Sequence, residues 1–196
     1  MKNRNHALVA LALASVLLSG CGAPSANVGP AAAVHAGAHG HGSSSPAAAV
    51  PGGPSDAALM VCGGETMGNV TSILGLTSEQ HTVNDWADGT FTCTYHLGEG
   101  ALEIAVKEAA DPAAARTYFD AMQALAKGAT PIEGLANLGF PAYETADGSA
   151  VFQKDNMILH VDASDLSETL GPDSISRTAF AYQLSTTILA CWKEHP

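Results

Sequence analysis

The chain has 196 residues, and its 19 acidic side chains outnumber its 8 Lys and Arg, which gives a net charge of −11. Binding to nucleic acid depends on basic side chains that neutralise phosphates, so this balance argues against a nucleic-acid-binding protein. An acidic body is also repelled by an anionic lipid surface.

The N-terminus has the pattern of an export signal. Lys2 and Arg4 precede an apolar run over residues 7–18 that only Ser15 interrupts. This run is too short for a transmembrane helix, which needs about 20 apolar residues. It has the length of the apolar region of a secretory signal peptide. We therefore expect residues 1–20 to be removed on export.

The apolar run ends in Leu18-Ser19-Gly20-Cys21, which resembles the lipobox of bacterial lipoproteins. The resemblance implies that the Cys21 thiol receives a diacylglyceryl group and that cleavage occurs just before it. Two acyl chains are enough for stable anchoring. The mature protein is then expected on the extracytoplasmic face of the cell membrane, bound through lipid without spanning the bilayer. The alternative is an ordinary cleavage site with a chance cysteine.

Residues 21–55 are predicted to be a flexible tether that starts at the lipidated cysteine. After Cys21 the segment contains no Asp, Glu, Lys or Arg and consists almost wholly of Ala, Gly, Pro, Ser, Val and His. Such a composition buries too little apolar surface to fold. Its residues His35, His39 and His41 could capture Cu²⁺, Ni²⁺ or Zn²⁺, although no acidic residue or cysteine within the tract completes a ligand shell.

Residues 56–196 are expected to form a single extracytoplasmic domain. Apolar residues at helical spacing before Gly75 predict a first helix over residues 65–74. Alternation in residues 90–96, and again in 101–106, predicts two strands of a hairpin. Asp111-Pro112 is a helix-start signal, because Asp caps backbone N–H groups and Pro suits the first helical position. This second helix is expected to end at Lys127-Gly128.

The remaining elements complete an α+β fold. Residues 131–141 are predicted to be a loop, residues 142–145, 150–153 and 157–161 to be short strands, and residues 174–192 to be the last helix. The order is α-ββ-α-βββ-α. It predicts a mostly antiparallel sheet of about five strands packed by three helices.

If Cys21 is acylated, the thiols of Cys62, Cys93 and Cys191 remain, and export permits one disulfide. We favour Cys62–Cys93, which would attach the start of the first helix to the first strand. Cys191 would then be a buried thiol on the last helix. Cys62–Cys191, which would join the two ends of the domain, stays open as the rival pairing.

Taken together, these features resemble those of uncharacterised actinobacterial cell-envelope lipoproteins. The similarity rests on the lipobox, the tether, Val61-Cys62-Gly63, Thr92-Cys93-Thr94-Tyr95 and a Gly- and Leu-containing loop over residues 131–139. The chain departs from the pattern at Ala136 and in having Cys191-Trp192. The resemblance implies a disulfide-stapled α+β domain outside the membrane that binds or senses something.

The predicted loop and its flank provide the candidate binding residues. Leu135, Leu138, Phe140 and Tyr143 would form a recognition lip if they are exposed. Otherwise they would seal one end of the core.

Other polar side chains could form a catalytic or metal site only if the fold brings them close together. His81, His96 and His160 could meet in a triad or a metal site, but histidines at strand ends are commonplace. The carboxylates of Asp162, Asp165 and Glu168 lack the spacing of a calcium loop and are better explained as a solvated acidic turn.

The sequence contains no motif of the best-marked hydrolases, zincins or P-loop proteins. We therefore expect a non-enzymatic domain without a cofactor, which binds or senses a small ligand or an envelope protein. The alternatives are an enzyme acting on an envelope substrate and a metal-capturing lipoprotein that uses the His-rich tether. A pocket lined by two or more polar side chains with shifted pKa values would favour the enzyme.

Overall fold

A seven-stranded antiparallel sheet is the centre of the computed structural model, which describes residues 52–133 and 139–194. The strand order is β1-β2-β3-β7-β6-β5-β4. The strands are β1 His81–Ala87, β2 Thr90–Leu97, β3 Gly100–Glu108, β4 Thr130–Pro131, β5 Ala142–Glu144, β6 Ser149–Lys154 and β7 Met157–Asp162. A separate two-stranded sheet pairs β8 Thr169–Leu170 with β9 Ile175–Ser176.

Four α-helices accompany the sheets in the described part of the chain. They are α1 Asp56–Leu59, α2 Gly64–Leu74, α3 Pro112–Leu125 and α4 Arg177–Glu194, with a 3₁₀ turn at Met60–Cys62. Asp111 caps α3 as expected, because its side chain accepts a hydrogen bond from the Ala114 N–H at 2.8 Å.

The main core lies between the sheet and helices α2 and α4. Alternation along the strands sends one set of side chains to this inner face, including Cys93, Tyr95 and Ile104, all fully buried. Helix α4 covers them with Phe180, Leu184, Ile188, Leu189 and Trp192. Burial of this apolar surface is the main source of stability.

Helix α3 packs on the opposite face of the sheet, which we call the outer face. Its residues Ala115 and Phe119 contact Tyr143, Val151 and Ile158 in a second, smaller cluster. Because this cluster involves β5 to β7, the outer-face side chains of β1, β2 and β3 stay exposed or half-buried.

The α+β class and the antiparallel sheet are confirmed, but the predicted count of about five strands is wrong. Strands β1 and β4 were missed, and both lie at sheet edges. The side chains of β1 are exposed or half-buried, so the strand lacks the apolar alternation that burial of one face produces. Strand β4 has two residues and contains Pro131, so part of the predicted loop is strand.

The last helix starts later than predicted. Ile175–Ser176 pairs with β8 instead of entering the helix, and Ser174 has a positive φ of 51°. Helix α4 therefore begins at Arg177.

The structure contains the Cys62–Cys93 disulfide, with Cα atoms 5.5 Å apart, which confirms the favoured pairing over Cys62–Cys191. Cys191 is a buried thiol on α4 outside the disulfide, and its Sγ lies 3.3 Å from the Glu65 Oε1.

Some predictions fall on residues that the structure does not describe. These are the signal peptide, Cys21, the tether with His35, His39 and His41, and the loop residues Leu135 and Leu138. Within residues 52–133 and 139–194, no helix has both the length and the apolarity needed to cross a bilayer.

Candidate functional site

A cleft of about 330 Å³ opens on the outer face, between the C-terminal end of α3 and strands β5 to β7. It is lined by apolar residues on the helix side and by polar residues along the strand ends. The lining residues are Met122, Leu125, Ala126, Lys127, Tyr143, Thr145, Asp147, Ser149, Val151 and His160.

The helix side of the cleft includes the most exposed large apolar side chain among the described residues. Leu125, at the last turn of α3, is 87% exposed, and it lies beside Met122 and Ala126. Val151 and Tyr143 form an apolar floor, and both are buried. Ligand sites combine such apolar walls with a few placed polar groups.

The polar side of the cleft is a hydrogen-bonded chain that a tight turn builds. The Thr145 Oγ1 donates to the Asp147 carboxylate and accepts from the Ser149 N–H at 3.1 Å. The Ser149 Oγ in turn donates to Asp162 Oδ1 at 3.2 Å. Gly148 permits this turn, because its φ is 105° and a Cβ there would lie 2.8 Å from the Arg177 Cγ.

The sheet register brings these groups together. Asp162 on β7 is paired with Ser149 on β6 and with Glu103 on β3, so the three side chains lie in one row across the outer face. His160 is two residues before Asp162 and occupies the next row, opposite Val151.

His160 and Asp162 both have shifted pKa values, and both shifts are downward. Burial lowers the pKa of His160, although the nearby carboxylates of Asp162, Glu103 and Asp147 oppose this effect. Burial alone would raise the pKa of Asp162, but hydrogen bonds from Ser164, the charge of His160 and the Ser149 hydroxyl outweigh it. At neutral pH a neutral His160 imidazole therefore lies near the ionised Asp162 carboxylate.

This hydrogen bonding does not prepare a serine nucleophile. A nucleophilic serine requires a general base to accept its proton, most often an imidazole. The Ser149 hydroxyl instead donates to the Asp162 carboxylate, whose lowered pKa makes it a weak base.

Of the three predicted histidines, the structure brings two together. The imidazoles of His81 and His96 face each other across β1 and β2, with ring centroids 5.3 Å apart. His160 lies apart from them on β7, which β3 separates from β2. It is half-buried within its strand, so the prediction that it lies at a strand end does not describe its position.

The other predicted site residues are distributed over the domain. Phe140 packs against the main core, and Tyr143 lies beneath α3 and lines the cleft. Asp162 belongs to the outer face, whereas Asp165 and Glu168 follow β7 as exposed residues. Across residues 52–133 and 139–194, no group of three or more His, Cys, Asp or Glu residues is arranged to hold a metal ion.

Sequence reasoning missed Thr145, Asp147 and Ser149. A usable signal was present, because the Asp155-Asn156 turn fixes the register of β6 against β7. Counting back from that turn places Ser149 opposite Asp162 and Val151 opposite His160.

Comparison with known proteins finds no matching protein-family model, no matching curated protein and no matching solved structure.

Proposed function

We propose that the protein is a lipid-anchored extracytoplasmic domain that binds a small amphipathic ligand in the cleft beside α3. The observation that carries the proposal is an open cleft lined both by the exposed Leu125 side chain and by the hydrogen-bonded Thr145, Asp147 and Ser149. Membrane attachment is supported by the lipobox at Cys21. An extracytoplasmic location is supported by the Cys62–Cys93 disulfide, since such bonds persist in oxidising compartments.

The cleft favours a ligand with an apolar body and a cationic or hydrogen-bond-donating head. The apolar body would cover Leu125 and Met122 and remove them from water. The head would approach Asp147, which is exposed at the rim, and the carboxylates of Glu103 and Asp162 would add negative potential. Among the residues that line this cleft, Lys127 is the one Lys or Arg.

The binding claim can be tested by titrating the mature chain with dodecyltrimethylammonium below its micelle concentration, with dodecyl sulfate as the anionic comparison. We expect the cation to bind and the anion to bind more weakly. Burying a leucine contributes about 1.5–3 kcal/mol, so Leu125→Ser should weaken binding roughly tenfold or more.

Leu59→Ser is the matched control, because Leu59 is an exposed leucine of α1 that does not line the cleft. Asp147→Asn should reduce the preference for the cation. Equal binding of both detergents to the parent and to all three variants would contradict a ligand site in the cleft.

The anchoring claim is tested separately by cell fractionation. Cys21→Ala should release the protein from the membrane fraction, whereas Cys191→Ala should not. Retention of the Cys21→Ala protein in the membrane fraction at the parental level would contradict lipid anchoring at this residue.

An enzyme acting on an envelope substrate is the second candidate, and one observation favours it. His160 and Tyr143 both line the cleft, and both have shifted pKa values, since burial, with a smaller contribution from Tyr118, raises the pKa of Tyr143. Turnover of a cell-wall or lipid substrate that His160→Gln abolishes would establish this function. Binding without turnover would favour the first candidate.

A further inference from the structure

We propose that His81 and His96 form a two-histidine site for a divalent transition-metal ion at the β1 edge of the outer face. The site is separate from the cleft beside α3, and nothing in the proposal depends on the cleft. Imidazole nitrogen is a preferred ligand of Cu²⁺, Ni²⁺ and Zn²⁺.

The geometry of the two rings suits a shared ion. Their centroids are 5.3 Å apart and their planes are inclined by 30°. Metal–imidazole bonds are about 2.0–2.1 Å long, so two rings that bind one ion have their centres on the order of 5 Å apart. The observed separation therefore matches that of two imidazoles on one ion, and rotation about the side-chain torsions would direct one nitrogen of each ring to it.

The backbone holds this arrangement before any ion arrives. His81 and His96 are direct partners in the antiparallel pairing of β1 with β2, and β2 is also paired with β3. Cys93, three residues before His96, is tied by the disulfide to Cys62. Both histidines are exposed, so an ion can reach them without any opening of the fold.

The surroundings of the pair suit a cation. The third position in the same row is Ala101, the β3 partner of His96, whose small side chain leaves room for ligands that complete the coordination shell. The Asp165 Oδ2 accepts a hydrogen bond from the Ala101 N–H at 2.9 Å, which fixes a carboxylate at this end of the sheet. The negative net charge of the chain adds a general attraction.

Two protein ligands define the kind of site. Since no group of three or more metal-binding side chains occurs in the described ranges, the remaining coordination positions would be filled by water or by an external ligand. Such a site exchanges its ion readily and does not hold a structural metal. Among the candidate ions, Cu²⁺ should bind most tightly.

The test uses the mature, lipidated chain extracted from its membrane, carrying the changes His35→Ala, His39→Ala and His41→Ala to remove metal binding by the tether. CuCl₂ and ZnCl₂ are titrated by calorimetry. We expect one ion per chain, with Cu²⁺ binding more tightly than Zn²⁺. In this background, His81→Ala and His96→Ala should each weaken Cu²⁺ binding tenfold or more, because either change leaves the ion with one histidine ligand.

Thr94→Ala is the matched control, since Thr94 neighbours the pair on the same face of β2 and should keep the parental affinity. Electron paramagnetic resonance of the Cu²⁺ complex should show coupling to two nitrogens in this background and to one in each histidine variant. Parental affinity in either histidine variant would overturn the proposal, and the rings would then be an ordinary cross-strand contact.

Discussion

Tyr95 is the residue that links the sheet to the start of the helical layer. Its side chain is fully buried, and its hydroxyl donates a hydrogen bond to the Val61 carbonyl oxygen at 2.5 Å. Burial raises the pKa of this hydroxyl, so the group stays protonated and can donate the hydrogen bond. Val61 precedes Cys62, so this hydrogen bond and the disulfide hold the same 3₁₀ turn against β2.

Tyr95→Phe should lower the free energy of unfolding by roughly 1–3 kcal/mol, because it leaves the buried Val61 carbonyl without its donor. Urea denaturation at pH 7 measures the change. Tyr118→Phe is the control, since Tyr118 is 41% exposed on α3 and should change stability by less than about 0.5 kcal/mol. Equal effects of the two changes would show that the Tyr95 hydrogen bond contributes nothing.

His160 should make stability depend on pH. Its pKa in the folded protein lies below its ordinary value, chiefly through burial. The unfolded chain takes up this proton near pH 6.5. Between pH 7 and 5 the unfolded state therefore binds more protons, and the free energy of unfolding falls as the pH falls.

His160→Gln should reduce this loss of stability between pH 7 and pH 5, as measured by urea denaturation at both values. Thr92→Ala, a change without a titrating group on the same face, should keep the parental dependence. An identical fall in stability in the His160→Gln and parental proteins would contradict the lowered pKa.

The sequence pattern around single residues predicted the cysteine pairing and several buried positions. It did not predict which side chains contact one another in the cleft. The alternation around Cys93 and Tyr95 follows from one strand alone, so a local pattern is enough to predict it. The contact of Ser149 with Asp162 requires strand register, and the Thr145 turn requires a positive φ at Gly148. Neither property can be seen in a short stretch of sequence without assembling the hairpin.

At the scale of the elements, α2 is followed by a C-cap residue whose conformation glycine adopts most readily. Gly75 has a φ of 64°, its N–H bonds to the Ser72 carbonyl oxygen, and a Cβ there would lie 2.8 Å from the Pro172 Cδ. Gly68 lies in the middle of the same helix, is exposed, and has no atom within 4 Å of an added Cβ.

Gly68 within α2 and Gly75 just after it should therefore respond to alanine with opposite signs. Gly75→Ala should destabilise the fold by about 1 kcal/mol or more, because it combines left-handed strain with a steric clash. Gly68→Ala should stabilise it by about 0.5–1 kcal/mol, because alanine is the better helix former. Thermal unfolding of both variants measures the difference, and a change of the same sign in both would contradict this account of the helix end.

Element prediction succeeded where the signal was local and failed where it depended on position in the sheet. Asp111 and Pro112 predict the start of helix α3, and the N-cap of the helix is at Asp111 as expected. Strand β1 carries no apolar alternation because it is an edge strand on a largely uncovered face. The same exposed edge is why the histidine pair is accessible.

At the scale of the whole molecule, the disulfide closes a loop between residues that are 31 positions apart. In the chain-entropy model such a closure contributes about 3–4 kcal/mol to stability. Reduction should lower the free energy of unfolding by about this amount in the parent and in Cys191→Ala. The double variant Cys62→Ala/Cys93→Ala should not respond to reductant. Stability that is insensitive to reduction in the parent would contradict a stabilising role for this bond.

The net charge of the whole molecule is consistent with the proposed membrane attachment through lipid on Cys21. Removal of residues 1–20 would take away Lys2 and Arg4 and leave six basic side chains against 19 acidic ones, a net charge of −13. An acidic body does not attract an anionic leaflet, so stable membrane attachment would have to come from lipid on Cys21. The acidic surface also suits the cationic ligands proposed for the cleft and for the histidine pair.

The most direct test of the central claim is the intact mass of the protein extracted from its native membrane, measured with and without reduction. We predict a mass equal to residues 21–196 plus a diacylglyceryl group and any further acyl chain, which increases by about 2 Da when the single disulfide is reduced. An unacylated chain would contradict the membrane anchor, and a mass unchanged by reductant would contradict the oxidised extracytoplasmic domain.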